Sequence, residues 1–359
     1  MLSHQIKKIH LNLNESFSSL CRIAIAIYDD QTDTLKTFTH STHGTNPITY
    51  YASKLANSES LSSLASHRGV RIIDDISLIP SDKLHSRQIK AAGYLSSLTC
   101  PLFNNDHLIG FLFMNAKQAC YFSRSRVEQL DIYIQLITTL VIAETMPIKI
   151  LQGAVATAQG FSRIKDEETG AHLARMSHYA RLIALEIGQK YGLSNQAVEY
   201  IFQFAPLHDV GKVGIPDAII LKQGLLNDTE RATVQEHVLI GGKIIDMMIE
   251  QFNLGGLDHV QILKNIVLYH HECYDGSGYP SGLKGESIPI ESRITSTADV
   301  FDALTSKRPY KEAWSNRKAL DYMQEHKSTI FDPDCVDALV SNQQDLLRIQ
   351  ERFKEESIA

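Results

Sequence analysis

Long apolar runs, paired cysteines and basic tracts are all scarce in this chain of 359 residues. Its most apolar stretch, around Leu136–Ala143, is short and polar on both sides. A membrane-spanning helix needs ~20 apolar residues, so no span is expected. The opening segment MLSHQIKKIHLNLNES has no apolar core of the length a signal peptide uses. Cys21, Cys100, Cys120, Cys273 and Cys335 are scattered and form no CxxC pair. That pattern excludes a structural zinc built on cysteine and suits unpaired thiols in a soluble, cytoplasmic protein. A net charge of −6 argues against the basic surface that nucleic acid polymers require. It leaves room for a small anionic ligand wherever a bound metal supplies positive charge locally. No internal repeat or low-complexity tract stands out.

What is there is enough for two domains. The apolar fraction of 43% over this length can bury a sizeable core. The first part reads as mixed α/β. Isoleucine alternates with alanine across Arg22–Tyr28, which predicts a strand, and Thr34–Thr39 returns as a second. Ser96–Leu102 and Leu108–Met114 predict two more, with a hairpin turn at Asn104–His107 between them and Gly110 inside the second. From Val127 the spacing changes: Val127, Leu130, Ile134, Ile137 and Val141 recur every three or four residues, and the stripe resumes at Ile148, Leu151 and Val155 beyond Glu144 and Pro147. This predicts a long helix, kinked near Pro147, that either packs on its own domain or dimerises the chain. From about Lys149 the pattern is mainly helical, with helices predicted over Leu173–Lys190, Gln196–Leu207, Asp228–Gln251 and Val260–His271, and an ordered Gly- and Pro-rich loop over 276–289.

The chemistry lies in the helical half. His172, His208, Asp209, His237, His270, His271 and Asp299 offer imidazole and carboxylate, donors that suit first-row transition metals, and a carboxylate can bridge two ions. Neighbouring residues on a helix point about 100° apart. His208 and Asp209 therefore reach one site only at a helix end or bend, and Gly211 supplies such an end; His270 and His271 repeat the device before the Gly-rich loop. A lone histidine is more often structural than a ligand. What carries weight here is the ordered series of ligand types across the domain.

The string GluThrGlyAlaHis (168–172), then HisAspValGlyLys (208–212), then HisHisGluCysTyrAspGlySerGlyTyrPro (270–280) resembles the HD-GYP family of bacterial phosphodiesterases. The continuations over 283–289, 293–294, 298–305 and ArgProTyrLys (308–311) also match, so the likeness covers roughly 150–345. It implies an all-α HD-type metallohydrolase domain over 159–359 that linearises cyclic di-GMP or cyclic GMP–AMP. By the same resemblance His172, His208, Asp209 and Asp299 would hold one metal, iron or manganese. Asp209 would bridge to a second, held with His237, His270 and His271. Glu168, four residues before His172, would admit a third. Lys212 would neutralise phosphate charge, and Tyr279, Arg308 and Lys311 would contact substrate. A hydroxide bridging the metals would attack phosphorus in line, making Asp209 and Lys212 the catalytic residues. The chain departs from the family at Cys273, a position that is often basic there.

Residues 1–126 look like a GAF domain, an α+β sensor fold, on the patterns of 94–102, 108–115 and 119–124. That likeness identifies no ligand, though it implies an unknown small one. Residues 127–158 would form a linker helix that supports a homodimer. Two other readings stay open: a different HD-type hydrolase acting on a nucleotide or phosphate monoester, and a cyclic dinucleotide receptor that signals through protein partners.

Overall fold

Alternation of isoleucine with small residues in the first strand decides how the N-terminal unit is layered. The computed structural model describes residues 2–30, 32–44, 51–79, 84–162, 170–222, 224–252, 259–307 and 312–354, with the backbone alone described for most of 151–162. The chain divides into two compact units, Met1–Met146 and Pro147–Ala359.

The first unit runs α1 (Leu2–Ser16), β1 (Leu20–Asp29), β2 (Thr34–Thr42), β3 (Ala52–Lys54), α2 (Glu59–His67), β4 (Arg71–Ile73), α3 (Leu84–Ala91), β5 (Ser96–Asn104), β6 (His107–Ala116) and the first part of α4 (Arg124–Ser162), which continues past Met146. Its six strands form one sheet in the order β3-β2-β1-β6-β5-β4, with every pairing antiparallel. Ile23, Ile25 and Ile27 take one face of β1, and Arg22, Ala24 and Ala26 the other. Both faces are buried. Helix α1 covers the isoleucine face. Its His10 bonds Ser41 Oγ (2.8 Å) and the Leu20 carbonyl (3.0 Å), and Ser41 pairs with Ile23, which puts the two side chains on the same side of the sheet. Leu2, Ile6, Ile9 and Leu13 of α1, spaced four, three and four, are buried there.

Helix α4 passes through Pro147 without ending. Leu130, Ile137 and Val141 of the expected seam are fully buried within this chain, while Ile132 and Leu136 are exposed. The stretch Arg124–Ile150 is long and apolar enough, by length and composition alone, to cross a membrane. The expectation drawn from Leu136–Ala143 counted unbroken apolar residues; over this longer helix, scattered isoleucines and leucines raise the average.

The second unit is all α among its described residues: α5 (Gly170–Tyr191), α6 (Asn195–Phe204), α7 (Asp217–Ile220), α8 (Asp228–Gln235), α9 (His237–Gln251), α10 (Val260–Tyr269), α11 (Ile290–Thr305), α12 (Asn316–Glu325), α13 (Pro333–Ser341) and α14 (Gln343–Arg352). The helix expected over Asp228–Gln251 is two helices, because the chain breaks at Glu236 and restarts at His237. Helix α5 is the centre of the core. Met176, Tyr179, Ala180, Ile183, Ala184 and Ile187 make one buried stripe against α6, α11 and α13. Tyr179 meets Phe301 of α11 edge to face at 5.1 Å. His172 lies one turn before Met176, so the same stripe that builds the core carries a histidine at its N-terminal end.

Gly110 sits where β6 crosses β1 closely. A Cβ there would lie 2.0 Å from the Ala26 carbonyl oxygen. Gly110→Ala is expected to cost the first unit about 2 kcal/mol or more. Hydrogen exchange should then speed up in β1 and β6 while α5 and α11 are unchanged; unchanged protection in β1 would show that the strand yields at no cost.

Candidate metal centre

The His208–Asp209 pair sits between two tight turns rather than within a helix. After α6 the chain makes a 3-10 turn over Ala205–Leu207, then another over Val210–Gly214, with His208 and Asp209 between them. The second turn packs against α9 closely enough that a Cβ on Gly211 would stand 1.9 Å from the His237 carbonyl oxygen and 2.4 Å from the Gly241 nitrogen. Gly211 therefore does more than end a helix: it lets the turn carrying Asp209 touch the helix carrying His237. His270 and His271 follow the end of α10, so both can face the same place.

Two groups of donors result. His172, His208 and Asp299 form one, and Asp209, His237, His270 and His271 the other, with the donor atoms within each lying no more than 4.8 Å apart. Asp209 joins them. Its Oδ2 is 3.1 Å from His208 Nε2, and its Oδ1 is 3.0 Å from His237 Nε2 and 3.6 Å from His270 Nε2. Asp299 Oδ1 is 3.7 Å from His172 Nε2.

The outer nitrogens fix the tautomers. His208 Nδ1 donates to the Ala205 carbonyl (2.9 Å), His237 Nδ1 to Val234 (2.6 Å) and His270 Nδ1 to Ile266 (3.0 Å). His172 Nδ1 donates to Asp302 Oδ2 (2.8 Å). Each bond puts the proton on Nδ1 and leaves a lone pair on Nε2 pointing inward. His237 Nε2, His270 Nε2 and Asp209 Oδ1 are buried and have no hydrogen-bond partner, although they crowd together. A buried polar atom left unmet costs about 1–3 kcal/mol. Three acceptors facing one another are worse than unmet, since their lone pairs repel. A divalent cation satisfies all three at once, so the donor set fits a transition metal.

Charge and burial agree with that fit. Burial would raise the Asp209 pKa, but Lys212, with its Nζ 2.8 Å from Oδ2, outweighs it and holds the carboxylate well below its usual range. Burial, and then His270, push His271 down to about 2, and burial also lowers His270. Both imidazoles are thus neutral at pH 7, the form that coordinates metal.

Tyr279 is brought to the same place. Its ring stacks on His271 with centroids 4.8 Å apart, and its amide donates to the His271 carbonyl (3.2 Å). Gly278 permits this return, because a Cβ there would lie 2.2 Å from the Cys273 nitrogen. Cys273 itself is half-buried, with a pKa raised by burial. Glu168, Arg308 and Lys311 lie outside the described residues.

Sequence reasoning missed three side chains. Asp302, fully buried, accepts a hydrogen bond from His172 Nδ1 and also from Arg175 Nε (2.7 Å) and Nη2 (3.0 Å). Burial would raise its pKa, yet His172 and Arg175 hold it low. Buried Glu272 accepts from the amides of Ser281 (2.7 Å) and Leu283 (3.0 Å) and so ties the Gly-rich loop to the paired histidines. The available signal was spacing: Arg175 follows His172 by three residues, as Asp302 follows Asp299, and each pair shares a helix face.

Residues 165–335 match the HD domain family. Over 189 residues the chain is 46% identical to the cyclic di-GMP phosphodiesterase response regulator RpfG of Xanthomonas campestris pv. campestris (strain 8004), covering 53% of this chain and 47% of that protein. Over 186 residues it is 39% identical to the 3'3'-cGAMP-specific phosphodiesterase 2 of Vibrio cholerae serotype O1, covering 52% of this chain and 34% of that protein. The chain thus spans about half the length, or less, of the curated relatives it matches. Among solved structures, the GAF domain region of a putative membrane protein from Geobacter sulfurreducens PCA is 14% identical, with a TM-score of 0.32 over 40% of this chain and 93% of that one.

Asp302→Asn keeps the shape of the acceptor but loses its charge. Metal affinity is expected to fall roughly 10–100-fold, measured by competition against a chelator. An unchanged affinity would reduce Asp302 to a packing role.

Proposed function

We propose that this chain, whose residues 165–335 match the HD domain family, hydrolyses a cyclic dinucleotide, cyclic di-GMP or 3',3'-cyclic GMP–AMP, to the linear dinucleotide. The observation that carries this reading is Asp209, a single carboxylate shared by two imidazole groups with a lysine at 2.8 Å. His172, His208, Asp209 and Asp299 would hold one divalent ion; Asp209, His237, His270 and His271 would hold a second. Iron and manganese both suit these donors, and Glu168 would serve a third ion. When bound, the metals supply an activated water and neutralise charge on the phosphoryl oxygens.

The rest falls to the protein's own groups. Lys212 has three ammonium donors, so it keeps Asp209 ionised while offering a proton to a phosphate oxygen. Lys212 holds the Asp209 carboxyl low, in the ionised form that coordinates metal. Tyr279, flat against His271, walls one side of the centre and orients the substrate. Arg308 and Lys311 contact its phosphate or base. The names of the relatives support a substrate with a 3'-phosphodiester in a dinucleotide ring, the feature common to both messengers.

Residues 1–126 act as a sensory unit, 127–158 as a linker helix and 159–359 as the catalytic domain. A homodimer through α4 would use Ile132 and Leu136, since Leu130, Ile137 and Val141 are buried within the chain. The five free cysteines suit the cytoplasm.

Asp209→Ala is expected to abolish turnover and to lower the metal content of the purified protein. Lys212→Ala should retain metal and lose roughly 10²–10³-fold in kcat/KM. Both are read by chromatography of the linear product from metal-loaded protein. Wild-type turnover by Asp209→Ala would sink the proposal.

A further inference from the structure

The last carbonyls of a helix find no partner inside it. At the end of α14, Arg175 of α5 supplies one: its Nη1 donates to the carbonyl of Phe353, the residue that closes the helix, at 2.9 Å. A cation at a helix C-terminus also complements the helix dipole. The same guanidinium grips Asp302 with two nitrogens, Nε to Oδ1 (2.7 Å) and Nη2 to Oδ2 (3.0 Å), and Nη2 donates to Ser306 Oγ as well (2.8 Å). Asp302 Oδ2 accepts from His172 Nδ1. A guanidinium is flat and rigid. What fixes its outer edge therefore fixes the plane in which Asp302, and then the His172 ring, must lie.

Phe353 is gripped at a second point. Its ring lies on His178 with centroids 4.7 Å apart, and His178 meets Phe202 edge-on at 5.0 Å. His178 follows Arg175 by three residues, so both are on one face of α5. Helix α14 itself is docked by fully buried Leu346 and by reciprocal amide bonds between Asn316 and Gln350, both 2.9 Å. The carbonyls that orient His208, His237 and His270 belong to helical turns at Ala205, Val234 and Ile266. Phe353 stands past the last turn of its helix, so its ring decides where its carbonyl points. We propose that Phe353 is a positioning residue of the metal centre. Through Arg175 and Asp302 it aims His172 at the ion that His172, His208, Asp209 and Asp299 would hold. His237 and His270 of the other donor group are anchored elsewhere, on Val234 and Ile266, and stay outside its reach. The role requires the metal centre and is independent of the substrate.

The test competes the manganese-loaded full chain against a chelator and follows the two binding steps separately. Phe353→Gly is expected to weaken one step about tenfold, at the low end for a group outside the ligand shell, and to leave the other unchanged. Phe353→Tyr keeps a ring on His178 and should restore the wild-type value. Combined with Asp302→Asn, Phe353→Gly should add little, because the link that carries its effect is already cut. Val336→Ala, which trims the buried core of the same unit, is the control for lost stability and should not separate the two steps. Equal weakening of both steps, no change in Phe353→Gly, no restoration by Phe353→Tyr, or an undiminished effect beside Asp302→Asn would each overturn the role of Phe353 and leave the metal centre standing. A wild-type chain that shows fewer than two steps with manganese or ferrous iron would overturn the centre as drawn, and the role with it.

Discussion

Lone pairs facing one another across a buried gap are the constraint around which the second unit is organised. His237 Nε2, His270 Nε2 and Asp209 Oδ1 meet without a hydrogen between them. Such an arrangement is unfavourable as it stands and becomes favourable only around a cation. It also has to be enforced. The enforcement comes from the core stripe of α5 and α11, the close contact at Gly211, and the hydrogen bonds on the far side of each ring. A frame that holds repelling groups together must be rigid, which is why the donors sit on packed helices and the short turns between them rather than on long loops.

Much of this was legible in the sequence, and the limits have physical causes. β1, β2 and the β5–β6 hairpin could be read because isoleucine alternates with alanine in β1 and AsnAsnAspHis marks the turn between β5 and β6. β3 and β4 are three residues each, too short for any period to register. Helix α1 went unanticipated because HisGlnIleLysLys dilutes a stripe whose spacing, at Leu2, Ile6, Ile9 and Leu13, is helical. The break at Glu236 has no local signature. It turns the chain so that His237 can reach both the Val234 carbonyl and Asp209, a demand set by tertiary structure.

The site divides in the same way. Residues that offer donor atoms stand in recognisable strings, so sequence could name them. Residues that orient those donors do not. Asp302 and Arg175 are 127 positions apart and meet only once α5 and α11 have packed. Glu272 looks like part of a motif, but its work is to gather two amides of a loop nine and eleven residues away.

The anchors of four of the five imidazoles are of two kinds, and the difference bears on how the protein can drift over generations. His208, His237 and His270 are oriented by main-chain carbonyls of Ala205, Val234 and Ile266. Every residue type carries a carbonyl, so exchange of those three side chains leaves the anchoring oxygen in place. His172 leans on a side chain, Asp302, and that side chain leans on Arg175. Three of the four rings are therefore buffered against point substitution of their supports. The fourth is hostage to two other positions, and variation at 172, 175 and 302 has to occur in concert.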